Sequence, residues 1–106
     1  MRAGDLNRRV TLQTATETQD GVGQPIPAWS EVATVWAAVA PLEGRELFAA
    51  RQIHAEATVM VRIRYRPGVS PKMRVLYGSR VLGIISVIDP GERHEELRLL
   101  CSEVVT

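Results

Sequence analysis

A chain of 106 residues, 45% hydrophobic and 24% charged, has the balance of one ordinary globular domain and can bury roughly two thirds of its unfolded surface. A net charge of +1 excludes the clear basic excess of a strongly nucleic-acid-binding domain, and the lone Cys101 excludes an internal disulfide and multi-cysteine metal motifs. The start, Met1 to Asp5, has no apolar core, so no secretory signal is expected, and no apolar run approaches the ~18 residues that span a membrane.

Asn7 to Gln13 alternates, with Val10 and Leu12 against Arg9, Thr11 and Gln13, and predicts a half-buried strand. Thr14 to Gln24 is polar and carries an Asp20-Gly21 step, so it reads as a long hairpin tip of low local stability that orders on a partner or stays a surface loop. Pro25 to Ser30 is a short extended piece with Trp29. Val32 to Ala40 follows as a small-residue apolar run, expected to be a strand buried on much of both faces. Core packing is the expected role of Trp29 and Trp36, and an exposed Trp29 would instead point to an interface.

Pro41 has no N–H to donate and ends that ladder. From Glu43 to His54 the period changes: Leu47, Ala50, Arg51 and His54 share a helical stripe, with Phe48 and Ile53 beside it. Glu43 and Glu46 sit where the helix dipole favours negative charge. Thr58 to Arg66 then alternates strictly. Val59, Val61, Ile63 and Tyr65 face a core, and Arg62, Arg64 and Arg66 stand about 6.5–7 Å apart on the other face.

Pro67-Gly68 is a turn, Met73 to Tyr77 a short strand, and Gly78-Ser79 a two-residue hairpin with glycine first, the type II′ signature. Arg80 to Asp89 is apolar on both faces and should be central; Pro90-Gly91 breaks it. In the last strand, Glu95 to Val105, Leu97, Leu99 and Cys101 oppose Glu96, Arg98, Leu100 and Ser102. The fold class is therefore mainly β: a small barrel or sandwich of about six or seven strands, with one short helix inserted after the long Val32–Ala40 strand.

Candidates for chemistry are poor. Cys101 lies on an apolar stripe and behaves as a small hydrophobe. His54 ends the helix, His94 lies in a polar turn, and the pair makes a weak metal signal. Gly21-Val22-Gly23 does not sit between a strand and a helix, as a phosphate-cradling loop would. No catalytic, metal or cofactor site is expected. The sharpest polar feature is the Arg62, Arg64, Arg66 stripe, which Arg74 and Arg80 would extend. It reads as a solvated face balanced by Glu95, Glu96 or Glu103, as a subunit interface, or as a wall facing nucleic acid.

An ordered set of segments resembles a known family: Gly4-Asp-Leu-Asn-Arg-Arg-Val-Thr-Leu-Gln13, Asp20-Gly-Val-Gly23, the Trp29 segment, Val35-Trp-Ala-Ala-Val-Ala-Pro-Leu-Glu-Gly-Arg-Glu46, Ala49-Ala-Arg-Gln52, Val61-Arg-Ile-Arg-Tyr-Arg-Pro-Gly-Val69, Met73-Arg-Val75 and Leu97-Arg-Leu-Leu-Cys101. Together they resemble the head–tail joining proteins of tailed bacteriophages, also called head-closure, stopper or connector proteins, over nearly the whole chain. One departure is the helix start, where relatives often place a capping serine and this chain has Pro41-Leu42-Glu43.

The resemblance implies one connector-like barrel domain over 1–106, with a flexible loop at about 14–24 and a helix at about 43–54. It implies a non-enzymatic structural protein of a phage or prophage neck, made in the host cytoplasm. Its partners would be copies of itself in a ring, commonly dodecameric or hexameric, portal and adaptor proteins, a tail-completion protein, and packaged duplex DNA held without sequence-specific contact. The channel or gating segment maps onto Pro41, Leu42, Glu43, Gly44, Arg45 and Glu46. Arg62, Arg64 and Arg66 would form an interface or channel face, and Asp20, Gly21 and Gly23 a docking loop. The rival readings are a neck protein on the tail side and a small-barrel nucleic-acid-binding module. The second is weakened by having only five aromatic residues to stack on bases.

Overall fold

In the computed structural model, which describes residues 5–104 except 20, 22 and 24, six strands close into an antiparallel barrel in the order β1-β2-β3-β6-β5-β4. The strands are β1 (Arg8–Gln19), β2 (Pro25–Pro41), β3 (Val59–Arg64), β4 (Met73–Tyr77), β5 (Arg80–Ile88) and β6 (Glu96–Val104). One helix, α1 (Gly44–Ile53), joins β2 to β3. No described helix is long and apolar enough to cross a membrane.

Alternation builds the interior. Val10, Leu12, Val59, Val61, Ile63, Val75, Leu82, Leu99 and Cys101 are almost wholly buried inside the barrel. β3 and β4 lie on opposite sides, so residues 65–72 cross from one to the other, and Val69 packs against the core from this connection. The Gly78-Ser79 hairpin is as the sequence predicts. Tyr77 pairs with Arg80, and Gly78 has φ +61° while Ser79 keeps a negative φ, which selects II′ over I′.

A second, smaller apolar layer lies outside the barrel. Leu42, Ala57 and Leu100 are buried there, with Leu47, Ala50, Met60 and Ile85 packed around them. A bulge in β5 between Ile84 and Ser86 creates part of it, since Ile84 faces the interior and the extra residue, Ile85, joins the outer cluster. This explains why β5 is apolar on both faces: one face fills the barrel and the other meets the layer under the helix. Glu43 is the N-cap of α1 but makes no side-chain capping bond. The helix is held instead by its neighbours: Leu42 N–H donates to Thr58 O (3.0 Å), and Arg51 Nε to Ala57 O (3.1 Å). The first of these bonds carries pairing one residue past Pro41.

Three expectations are corrected. Thr14 to Gln19 is not loop: β1 runs to Gln19 and pairs with β2 as far as Gln19–Pro25. Pro25 to Pro41 is one strand, and beyond the barrel it pairs, among the described residues, only with β1. A two-stranded arm therefore leaves the barrel. Five residues, Ala15–Gln19, span about 17 Å, which accounts for the long axis of a 48 × 28 × 27 Å molecule. The radius of gyration is 14.7 Å, against about 13 Å for a compact chain of this size. Second, Val32–Ala40 is not buried on both faces, since only Ala37 is fully buried and Val32 and Trp36 are 45% and 52% exposed. Third, β3 ends at Arg64, and Tyr65 leaves the core face to stack on His94, centroids 4.4 Å apart.

Cys101 is completely enclosed, and burial pushes its thiol up to about 12 from an ordinary 9.0. The folded state therefore keeps its proton while the unfolded chain loses it. The resulting stability is fully present below about pH 9 and is lost as pH rises towards 12. Comparing urea unfolding of the parent and Cys101→Ala from pH 7 to 11 isolates the effect. The parent should lose about 1.4 kcal/mol more per pH unit above pH 9; parallel curves would mean that the thiol is not sealed.

Candidate assembly surfaces

The two tryptophans stand seven residues apart, which in a regular strand puts them on opposite faces. Register shows otherwise. Trp36 pairs with Arg9 and Trp29 with Ala15, residues of equal parity on β1, because an extra residue, Val32, lies between the Leu12–Ala33 and Gln13–Glu31 pairs. The bulge brings Trp29 to the outer face that Trp36 already occupies between inward-facing Val35 and Ala37, correcting the expectation that both fill the core. Arginine covers each: Arg9 lies 5.0 Å from the Trp36 centroid and Arg74 4.1 Å from that of Trp29. Arg74 Nε also donates to Gln13 Oε1 at 2.8 Å. Trp29 remains 39% exposed, the condition that marks it as interface material.

Arg62 faces outward on β3 and sits directly opposite Arg98 on β6. Arg98 reaches Glu96 at 3.6 Å, and among the described residues no acid lies within 4 Å of Arg62, Arg64 or Arg66. Of the balancing acids expected for this stripe, Glu96 sits directly opposite Arg64 on β6 yet reaches Arg98 instead. Glu103 binds Arg80 at 2.6 Å, and that hydrogen bond holds its carboxyl below the ordinary range. Arg74 and Arg80 do not extend the stripe, because β4 lies across the barrel from β3. Arg98 does, and only knowledge that β3 pairs with β6 would have found it.

The sequence-predicted site residues fall in three places. Pro41 and Glu46 meet Arg62 and Arg98 around a hollow of about 230 Å³, floored by Ala38 and Ala40. Arg64 and Arg66 line a separate notch with Val35, Trp36 and Tyr65. Gly21 and Gly23 lie at the tip of the arm, joined to no other candidate, and Asp20 is outside the described residues. Within the gating segment, Leu42 is buried in the outer cluster, while Pro41, Glu43, Gly44, Arg45 and Glu46 are exposed. Phe48 and Ile53, read from the sequence as lying beside the helical stripe, face water: Phe48 is 70% exposed and Ile53 80%.

Two consequences can be measured. Deleting Val32 should turn Trp29 to the opposite face and abolish its ring-current shift on the Arg74 side-chain protons, with cooperative melting kept; a persistent shift would mean that the bulge does not set the facing. Like charges directly opposite on one face oppose pairing. Arg62→Glu should therefore stabilise the barrel by about 0.5 kcal/mol, a rise of about 2–4 °C in Tm. A lower Tm would show that Arg62 contributes packing that outweighs repulsion.

Comparison with known proteins gives one family. The chain matches, over residues 1–104, the family described as phage head completion protein. It is 32% identical to head completion protein gp7 of Enterobacteria phage HK97, covering 95% of each. Its fold is similar to the solution structure of protein SF1141 from Shigella flexneri 2a, with a TM-score of 0.79 and 31% identity over 97% of this chain and 96% of that one. A chain in the virion of a native gene transfer agent particle shares the fold, with a TM-score of 0.62 and 23% identity over 95% and 97%.

Proposed function

We infer the working role of this molecule from one premise: the chain belongs to the phage head completion protein family. It is a structural protein of a phage-type virion. The role its surfaces support best is that of a connector at the neck. Copies form a ring, dodecameric or hexameric, that docks beneath the portal and adaptor, helps to retain packaged DNA and offers the tail its attachment surface.

The observation that carries this reading is the exposed apolar residues of the helix. Phe48 and Ile53 stand in water on an element none of whose residues is fully buried. Exposed large apolar side chains mark surfaces that neighbours cover. Trp29 on the arm supplies a second such surface, and Gly21 and Gly23 at the arm tip would form the docking loop towards an adjoining ring. A net charge of +1 suits a ring that surrounds DNA without gripping it, since phosphate affinity grows with each basic contact.

The segment Pro41 to Glu46 is the channel or gating element in this reading. Leu42 pins its start, so the hinge falls after Leu42, where Gly44 has φ +56° and open space around it. Arg62 with Arg98 then forms the wall that the segment rests beside.

The test is to mix the protein with portal rings, with and without adaptor, and to size the products. A saturable complex of ring stoichiometry is expected. The double variant Phe48→Ser/Ile53→Ser should keep its melting temperature within about 3 °C, as exposed substitutions do, and should fail to enter the complex. A folded parent that binds neither ring would overturn the head-side connector role.

A further inference from the structure

We propose that the notch between the root of the arm and the β3–β4 connection is a docking site for an extended, acidic segment of a neighbouring protein, laid along the open edge of β2 with a carboxylate against Arg64 and Arg66. This names the chemistry of one partner contact. It stands on the notch itself and not on which neck protein supplies the segment.

Three observations meet there. β3 accompanies β2 only from Pro41 to Ala37. Beyond that point β2 continues to Pro25 with β1 on one side and no described strand on the other. Such an edge is a template for an added strand. Pro25 and Pro27 have no N–H to give, so the usable stretch is Ala28 to Trp36.

At the head of that stretch lies the notch, about 300 Å³, with Val35, Trp36 and Tyr65 as apolar walls and Arg64 and Arg66 as its charged lining among the described residues. Neither arginine has an acid within 4 Å among the described residues, and Arg66 Nε is buried without a hydrogen-bond partner among them. A buried guanidinium N–H left unpaired costs stability, and an incoming carboxylate would recover it as a charge-assisted bond.

The notch is also preformed. Tyr65 is fixed by its N–H to Glu95 O (3.2 Å) and by its stack on His94. His94 in turn is held at φ +56° by Asp89, which accepts from its backbone N–H (3.1 Å) and lies 2.7 Å from its Nδ1. Nucleic acid would satisfy the arginines but not the main-chain edge beside them, so a peptide fits better.

Fluorescence anisotropy with labelled octapeptides tests this. An alternating Val–Glu peptide should bind saturably and at least tenfold tighter than alternating Val–Lys, and Arg64→Gln/Arg66→Gln should erase the difference. In a Trp29→Phe background, Val–Glu should change Trp36 emission where Val–Lys does not, which decides the matter even if the double variant fails to fold. Equal affinity for the two peptides, or unchanged binding by a folded double variant, overturns the proposal. So does arginine-dependent binding of a 12-nucleotide single strand in preference to Val–Glu, which would assign the notch to nucleic acid. Neither portal nor adaptor enters the assay, so its outcome is separate from that of the ring-docking test.

Discussion

Closure of the sheet between β1 and β4 is the constraint on which the rest depends. The seam is short, four pairs from Thr11–Leu76 to Thr14–Met73. Without it β1 and β4 would be bare edges and Val10, Leu12 and Val75 would lose their enclosure. Because the seam uses only the middle of β1, the strand does two jobs. Its first half closes a barrel and its second half forms an arm with β2. The bulge at Val32 lies where one job ends and the other begins, so a local irregularity sets both the direction of the arm and the facing of its tryptophan.

The interior was legible in the sequence because burial writes a period. Val59, Val61 and Ile63 against Arg62 and Arg64, and Leu97 and Leu99 against Glu96 and Arg98, stand as read. The Gly78-Ser79 turn and the helix bounds were legible from local chemistry. The arm was not, because its sequence shows no apolar alternation. The only trace was threonine at 14, 16 and 18, a β-branched residue at every second position.

Site geometry was less legible, for a different reason. A bulge reverses the facing of everything beyond it and leaves no mark in composition, so Trp29 lies outside with Trp36, where core packing was expected for both. Arg98 and Arg62 become neighbours through the pairing of β3 with β6, strands separated in the chain by two others. Arg74, similar in sequence context, ends across the barrel, stacked on Trp29. Long-range register decides both outcomes, and no short-range pattern encodes it.

The surface also departs from what stability alone would select. Two arginines face each other across adjacent strands, Arg66 buries an Nε without a hydrogen-bond partner among the described residues, and Phe48 and Ile53 project into water from a helix without a side-chain capping bond. Each costs a fraction of a kcal/mol to a few kcal/mol in an isolated domain. The interior shows no such concession: no polar or charged residue is fully buried among the described residues, and the thiol is sealed. Strain is therefore confined to the outside of a well-packed barrel, on the surfaces a neighbour would cover. In the connector role proposed above, those local losses would become binding energy when a partner arrives, and the barrel behind them would keep the geometry fixed until it does.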